Sequence, residues 1–508
     1  MISIPTLADL NLQAALPAIM LLVGTLILLM VDLFLPEERK GWTPILALIG
    51  LGVSFVLTLL NFNVDNPLAL GGMFIGDTFT NFITLLVLIT AFIRIIISID
   101  YLRRTDINHG EYYILLLLSA SGAMFMAASN DLVMVFISLE LLSIPLYILA
   151  TFRALDKKNP AAGERSEESG IKYFILGAFS SAFFVYGAAL IYGATGTTYL
   201  PEIFASVEKI VSQESINAAF YLLAGTGLLF IGLGFKVAIV PFHMWTPDVY
   251  DGAPTPITAY MSVAAKLGGF AALFRAIAMA TSGFAFAGAT AAMWQDTVVI
   301  LAALTMILGN VVAISQTNLK RMLAYSSIAH AGYVLIALAA AADPAVGQLA
   351  VQSALVYLLA YMFTNLGAFT VVLAIEKDDG TPVELNDLIG LSRSKPLLAA
   401  AMAVFMLSLI GVPLTAGFVG KLVVFSAALQ AGLLGLLVIG VLTSVISAFY
   451  YVRVIVNMYL RDDHEGSAAL GATSRVRSMI YVSVLGTLVL GILIPLTLGF
   501  VSDINIIF

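Results

Sequence analysis

The chain has 508 residues, 60% hydrophobic and only 11% charged, with a formal net charge of −7 and no cysteine. Soluble domains carry about 25% charged residues, so this composition excludes a water-facing globular fold and marks an integral membrane protein. Without cysteine there are no disulfides, thiolate iron–sulfur centres or thiol chemistry, and no glycine-rich phosphate loop is present.

The apolar runs are long, which suits helices crossing about 30 Å of hydrocarbon; a β-barrel would show short alternating segments. Fourteen spans are predicted. They fall at roughly 12–35, 43–62, 78–98, 112–128, 132–153, 170–195, 218–241, 255–279, 296–316, 320–342, 347–376, 396–429, 431–459 and 478–502. The first is full length and lacks a basic flank, so it reads as a retained span and not a cleaved signal. The fold class is therefore an all-α polytopic membrane protein. Spans seven and twelve each contain a proline, Pro241 and Pro413. A proline removes a backbone donor and clashes with the preceding turn, so both helices are expected to break.

Loops after odd-numbered spans, with their flanks, hold Arg39, Lys40, Arg103, Arg104, Arg153, Lys157, Lys158, Arg165, Lys320, Arg321, Lys377, Arg393, Lys395, Arg461, Arg475 and Arg477. Loops after even-numbered spans hold little beyond Lys209. The positive-inside rule then puts odd loops in the cytoplasm and both termini on the other side. Spans seven and twelve each carry a lysine and a breaking proline. Two five-helix units of opposite orientation, with broken helices 7 and 12, follow from that offset of five; such inverted repeats characterise ion transporters. The units run 112–279 and 296–459, flanked by 1–111 and 478–508.

A charge at mid-bilayer is costly and usually faces a cavity or a partner. Glu140, in SLELLSIPLYIL, lies about 12 Å into span five, with Ser143 one turn on. Lys236, in LGFKVAIVPFHMW, has a similar depth, and a Glu140–Lys236 pair would let proximity control the lysine's proton. As a static ion pair it would add little to stability. Lys266 sits beside Gly268 and Gly269, which permit close helix approach. Lys421 follows the break at Pro413. His330, with Ser326 and Ser327 nearby, can pass protons either way. Lys172, at the start of span six, reads equally as functional or as snorkelling to the interface. Arg275 is expected to snorkel at the far end of span eight, and His109 and His464 to be solvated. Aromatic residues read as lipid-facing or as interface belts. No His/Asp/Glu spacing has the look of a metal site. The carbonyls freed at each break need water or polar partners, so the broken helices and the ionisable row together read as a proton wire.

The stretches ELLSIPLYILA, GLGFKVAIVPFHMWTPDVYDGAPTPITAYMSVAAKLGGF and LKRMLAYSSIAHAGYVL resemble the antiporter-like membrane subunits of complex I, most closely the N type (subunit 2), over nearly the whole chain. The resemblance implies fourteen helices with inverted five-helix repeats and redox-driven proton translocation. It implies that Glu140 and Lys236 form a controlling pair, that Lys266 is the central relay and that Lys421 is the exit residue. It also places His243 and His330 on a polar axis and Lys172 as an additional lysine. No cofactor is expected in this chain; NAD(H), FMN, iron–sulfur clusters and quinone would lie in partner subunits, alongside sister antiporter-like subunits. The three N-terminal spans favour a bacterial inner membrane or a plastid (thylakoid-type) source. An Mrp-type cation/proton antiporter subunit is the alternative, and a proton-silent structural subunit a third reading.

Overall fold

A computed structural model describes residues 10–64, 66–212, 216–278, 289–377, 380–461 and 472–506. Among these, thirteen helices are long and apolar enough to cross a membrane. In chain order they begin with α1 Leu12–Phe34, α2 Thr43–Leu60, α3 Thr78–Thr105, α4 Gly110–Ala127, α5 Leu132–Ala150 and α6 Pro160–Thr195. The shorter α7 Leu200–Ser212 separates α6 from α8 Ile216–Val237, and α9 Trp245–Gly252 follows the first break. Next come α10 Thr255–Ala276, α11 Ala289–Ser315, α12 Leu319–Ala340 and α13 Gly347–Ala374. The twelfth predicted span is two half-helices, α14 Pro396–Ile410 and α15 Ala416–Gln430, before α16 Leu434–Leu460 and α17 Ser474–Ile492. Counting that broken helix as one gives the fourteen spans expected. Span six starts ten residues earlier than expected, because the polar run 160–169 continues the helix toward the basic side.

The lipid-facing helices carry an outward apolar stripe. On α2, Leu46, Ile49, Val53, Val56 and Leu60 are exposed at alternating three- and four-residue steps, one face of a helix. The centre belongs to α10, α12 and α13, which are almost wholly enclosed by protein. α10 is irregular: π turns at Met261–Ala265 and Phe274–Ala278 flank a regular stretch beginning at Lys266. π turns are rare and often sit at functional positions. A two-residue antiparallel hairpin pairs Leu68 with Ile75 and Ala69 with Phe74.

Helix pairing repeats along the chain. α4 packs on α5, α5 on α6 and α6 on α8; correspondingly α11 packs on α12, α12 on α13 and α13 on α14 and α15.

Both breaks close in the same way. At the end of α8, Ala238 N–H donates to Phe235 O at 3.1 Å and Ile239 N–H to Gly234 O at 2.9 Å. At the end of α14, Gly411 N–H donates to Ser408 O at 3.0 Å and Val412 N–H to Leu407 O at 3.0 Å. These are paired Schellman closures, and they require a left-handed residue just past the helix: Ala238 at φ 64° and Gly411 at φ 93°. Each helix stops three or four residues before its proline, where the pyrrolidine would otherwise remove a backbone bond.

Candidate functional site

The predicted ionisable residues sit on helices that converge in the protein interior. Lys236 is the penultimate residue of α8, Lys266 opens the regular stretch of α10, His330 is on α12 and Lys421 is on α15; all four are buried. Glu140 on α5 is half-buried.

Glu140 and Lys236 do not touch. Glu140 Oε1 accepts from Ser181 Oγ on α6 at 2.5 Å. Lys236 Nζ donates to Ser143 Oγ at 2.8 Å, one turn below Glu140, and to Tyr173 OH at 3.1 Å. The ammonium also stands 5.4 Å from the centre of the Tyr173 ring. The amine is thus bonded to a serine hydroxyl and a phenol in place of a direct ion pair.

Lys266 Nζ donates to Ser327 O on α12 and lies 5.6 Å from the Tyr361 ring. Tyr361 OH donates to Ser327 Oγ at 2.9 Å. α8 packs close against α10 at Gly269, where a Cβ would fall 2.5 Å from Val237 Cγ1, with the Lys236 stem alongside at 3.6 Å. The close approach expected of Gly268 and Gly269 is thus observed, one turn from Lys266.

His330 is held at both ring nitrogens: Nδ1 to Tyr357 OH at 2.6 Å and Nε2 to Tyr451 OH at 3.2 Å. Tyr451 OH in turn bonds Ser326 Oγ. A cavity of about 10 Å³, at the lower limit for one water, joins His330, Tyr357 and Tyr361 to Ser408 and Leu409 at the second break.

Lys421 caps the broken helix. Its ammonium donates to Leu409 O at 2.9 Å, Ile410 O at 2.8 Å and Ser444 Oγ at 2.8 Å, with the Tyr333 ring centre 4.8 Å away. A cation at a helix C-terminus meets the negative end of its dipole and its unsatisfied carbonyls. The first break is different. There Phe235 O accepts from the Trp245 indole at 2.9 Å, one polar partner of the kind the freed carbonyls were expected to need. The two lysines also lie on opposite sides of their breaks, Lys236 before and Lys421 after.

Two predicted residues stand apart. His243 lies in the first break, half-buried, and its Nδ1 has no hydrogen-bond partner within the protein. Lys172 pairs with Glu168 at 2.6 Å and Asp248 at 2.8 Å. Asp248 also takes Arg321 at 2.7 Å, and these groups line a cleft of about 140 Å³ on the basic side. Burial alone would raise the Asp248 carboxyl, but its bonds to Lys172 and Arg321 outweigh that and hold it below the usual carboxylate range. Lys172 neither joins the central row nor snorkels alone.

Two expectations are corrected. Arg275 does not snorkel; it is 1% exposed and paired with equally buried Asp77 at 2.7 Å, with further bonds to Ala127 O and Thr80 Oγ1 at 2.8 Å each. It ties α10 to the start of α3 and the end of α4. The aromatic residues are not all lipid-facing: Tyr173, Tyr333, Tyr357, Tyr361 and Tyr451 are buried and hydroxyl-bonded within the row. Their sequence signal is tyrosine where lipid would accept phenylalanine, since a buried phenol needs a partner. His464 lies outside the described residues, and His109 is exposed as expected. Among the described residues no three His, Asp or Glu side chains converge as a metal site.

Residues 129–447 match the family model described as NADH:quinone oxidoreductase/Mrp antiporter, transmembrane. The chain belongs to the NADH:quinone oxidoreductase/Mrp antiporter family. Among members of this family, it is 43% identical over 500 residues to NADH-quinone oxidoreductase subunit N of Trichlorobacter lovleyi, covering 97% of this chain and 96% of that protein. A chain of respiratory complex I from Thermus thermophilus with bound aureothin superposes with a TM-score of 0.76 at 34% identity, covering 95% of this chain and 98% of that one. A chain of the Mrp complex from Dietzia sp. reaches a TM-score of 0.78 at 19% identity, with 97% and 96% covered; at that identity the likeness is one of fold.

Proposed function

We propose that this chain is a proton-translocating membrane subunit of NADH:quinone oxidoreductase. Electrons would pass from NADH to quinone through FMN and iron–sulfur clusters in partner subunits, and the chain itself would carry the proton path. The relatives named above support the enzyme assignment. One structural observation carries the relay: Lys236, Lys266 and Lys421 are all buried, yet among the described residues none pairs directly with a carboxylate. Uncompensated charge in a membrane interior costs several kcal/mol and is poor value for stability. The static ion pair that would explain Lys236 structurally is missing; Lys236 is bonded to two hydroxyls, Lys421 to two carbonyls and a hydroxyl, and Lys266 to a carbonyl.

In this reading Lys236 is loaded and unloaded under control of Glu140, which stands one helical turn from the Ser143 that the amine bonds. Lys266 passes the proton on, His330 bridges toward the second break and Lys421 releases it to the opposite side. His243 and Lys172 would serve access to the row from the first break and the basic side. The repeated helix pairing and matched Schellman closures support two inverted five-helix units, 112–279 and 296–459. The charge asymmetry supports a cytoplasmic basic side and both termini opposite, in a bacterial inner membrane. Glu140 is only half-buried on a face where Ile137 and Ile144 are 56% and 50% exposed. A carboxylate at that depth is not stable against lipid, which supports a sister antiporter-like subunit covering this face.

The test is Lys236→Ala in the assembled complex reconstituted into vesicles. Protons moved per electron should fall, with Lys236→Arg less severe but still impaired because guanidinium hardly releases its proton. An unchanged ratio in Lys236→Ala would leave only the structural reading. Co-purification with flavin and iron–sulfur proteins separates this function from that of an Mrp-type antiporter, which would bring small membrane subunits instead.

A further inference from the structure

The basic side of the molecule holds a second group of charged residues that the relay does not use. Glu376, just past α13, is 7% exposed. Its Oε2 accepts from Arg104 Nη2 at 2.9 Å, and its Oε1 accepts from Thr255 Oγ1, the first residue of α10. It borders a cavity of about 20 Å³, also lined by Arg153, Arg165, Asp251, Lys320 and Lys377. That volume holds one or two waters. Lys320 Nζ is committed to Ala253 O at 2.8 Å, Arg153 to Asp156 at 3.3 Å and Lys377 to Asp387 at 2.8 Å; Arg165 donates to Gly380 O. Arg104 is thus the cation that Glu376 engages directly.

From Thr255 a polar stripe runs down α10. Thr255, Thr258, Ser262 and Lys266 share one face at helical spacing, and all four are buried. Eleven residues at 1.5 Å carry the stripe about 16 Å, half the hydrocarbon thickness, and deliver it to the central lysine. Ser262 Oγ accepts from Asn365 Nδ2 of α13 at 2.6 Å. Beside it, Asn365 Oδ1 is a buried polar atom with no hydrogen-bond partner within the protein. Buried polar atoms of this kind normally find partners, and a water file needs such groups along its walls. The π turn at Met261–Ala265 lies on the same stretch and leaves its backbone bonds out of the regular ladder.

We propose that Glu376 is a proton acceptor at an inlet on the basic side, which feeds Lys266 along the Thr255–Thr258–Ser262 face of α10. A proton from water binds the Glu376 carboxylate, passes to the hydroxyl face and ends on the Lys266 amine, with Arg104 holding the carboxylate in place between turnovers. This inference rests on Lys266 being part of the relay.

The experiment uses the intact complex in vesicles and compares Glu376→Gln, Glu376→Asp and Lys266→Ala for protons taken up per electron and for thermal stability. Glutamine can still accept from Arg104 through its one amide oxygen, and its amide N–H can donate to Thr255 Oγ1, but it cannot carry the proton. The expected result is loss of uptake in Glu376→Gln to the level of Lys266→Ala, with Glu376→Asp retaining most of it. Normal uptake in Glu376→Gln alongside a defective Lys266→Ala overturns the inlet and leaves the relay standing. Normal uptake in both overturns the relay itself. A Glu376→Gln complex that loses stability but keeps its ratio shows Glu376 to be only a counter-ion of Arg104, which also overturns the inlet. Should that variant fail to assemble, Ser262→Ala, which removes no charge, decides: reduced uptake supports the inlet and wild-type uptake overturns it.

Discussion

Replacing Gly269 by alanine perturbs the relay without touching an ionisable group. The added Cβ would lie 2.5 Å from Val237 Cγ1, and 3.6 and 3.7 Å from Lys236 Cγ and Cβ. Ordinary carbon contacts settle near 3.5–4.0 Å, so the overlap with Val237 is about 1 Å. Valine has few rotamers with which to escape, and the strain falls on the separation of α8 and α10. Overpacking of this size costs about 1–3 kcal/mol. A displacement near 1 Å between reacting groups can slow transfer by about 100-fold. Gly268→Ala is the internal control: its Cβ would meet Ala123 Cα at 3.3 Å, which a few tenths of an ångström relieves. Proton pumping per electron in vesicles, with thermal inactivation of quinone reduction alongside, should rank wild type above Gly268→Ala and Gly268→Ala above Gly269→Ala. Wild-type pumping and stability in Gly269→Ala would show that close contact of these two helices is not what positions Lys236.

Arg275→Ala should lower stability by about 3–5 kcal/mol, because it strands Asp77 as a buried charge; Arg275→Ala with Asp77→Asn should recover part of the loss, read as thermal inactivation of the complex. The Asp248 carboxyl is held below its ordinary range by Lys172 and Arg321. A depressed acid adds stability above its unfolded pKa, near 3.9, and that stability is lost as pH falls through the folded value. Asp248→Asn should therefore change the acid limb of inactivation and leave the neutral part of the pH–activity profile in place. A changed neutral profile would mean that Asp248 itself handles protons.

Much of the fold was legible in the chain because hydrocarbon is a strict solvent. It admits only segments whose backbone bonds are satisfied within the helix and whose side chains are mostly apolar, so the spans show as long runs and the breaks as prolines within them. The same strictness made Glu140, Lys236, Lys266, His330 and Lys421 stand out as costly exceptions. Arg94 was missed for lack of a nearby motif; it is wholly buried in α3 and bonded to Leu366 O and Thr370 Oγ1.

What each exception touches was decided only by tertiary structure. Lys236 meets Tyr173 across 63 residues, His330 meets Tyr451 across 121 and Arg275 meets Asp77 across 198. Nothing local in the sequence encodes such meetings. An apolar span reads alike whether it faces lipid or protein, so tyrosines bound for the row looked like interface residues. The sequence by itself determined which groups are too polar for the membrane and roughly how deep they lie. Only packing decided that hydroxyls and backbone carbonyls, and not carboxylates, stand beside the amines, because a side chain's partner is set by which helices abut and at what register.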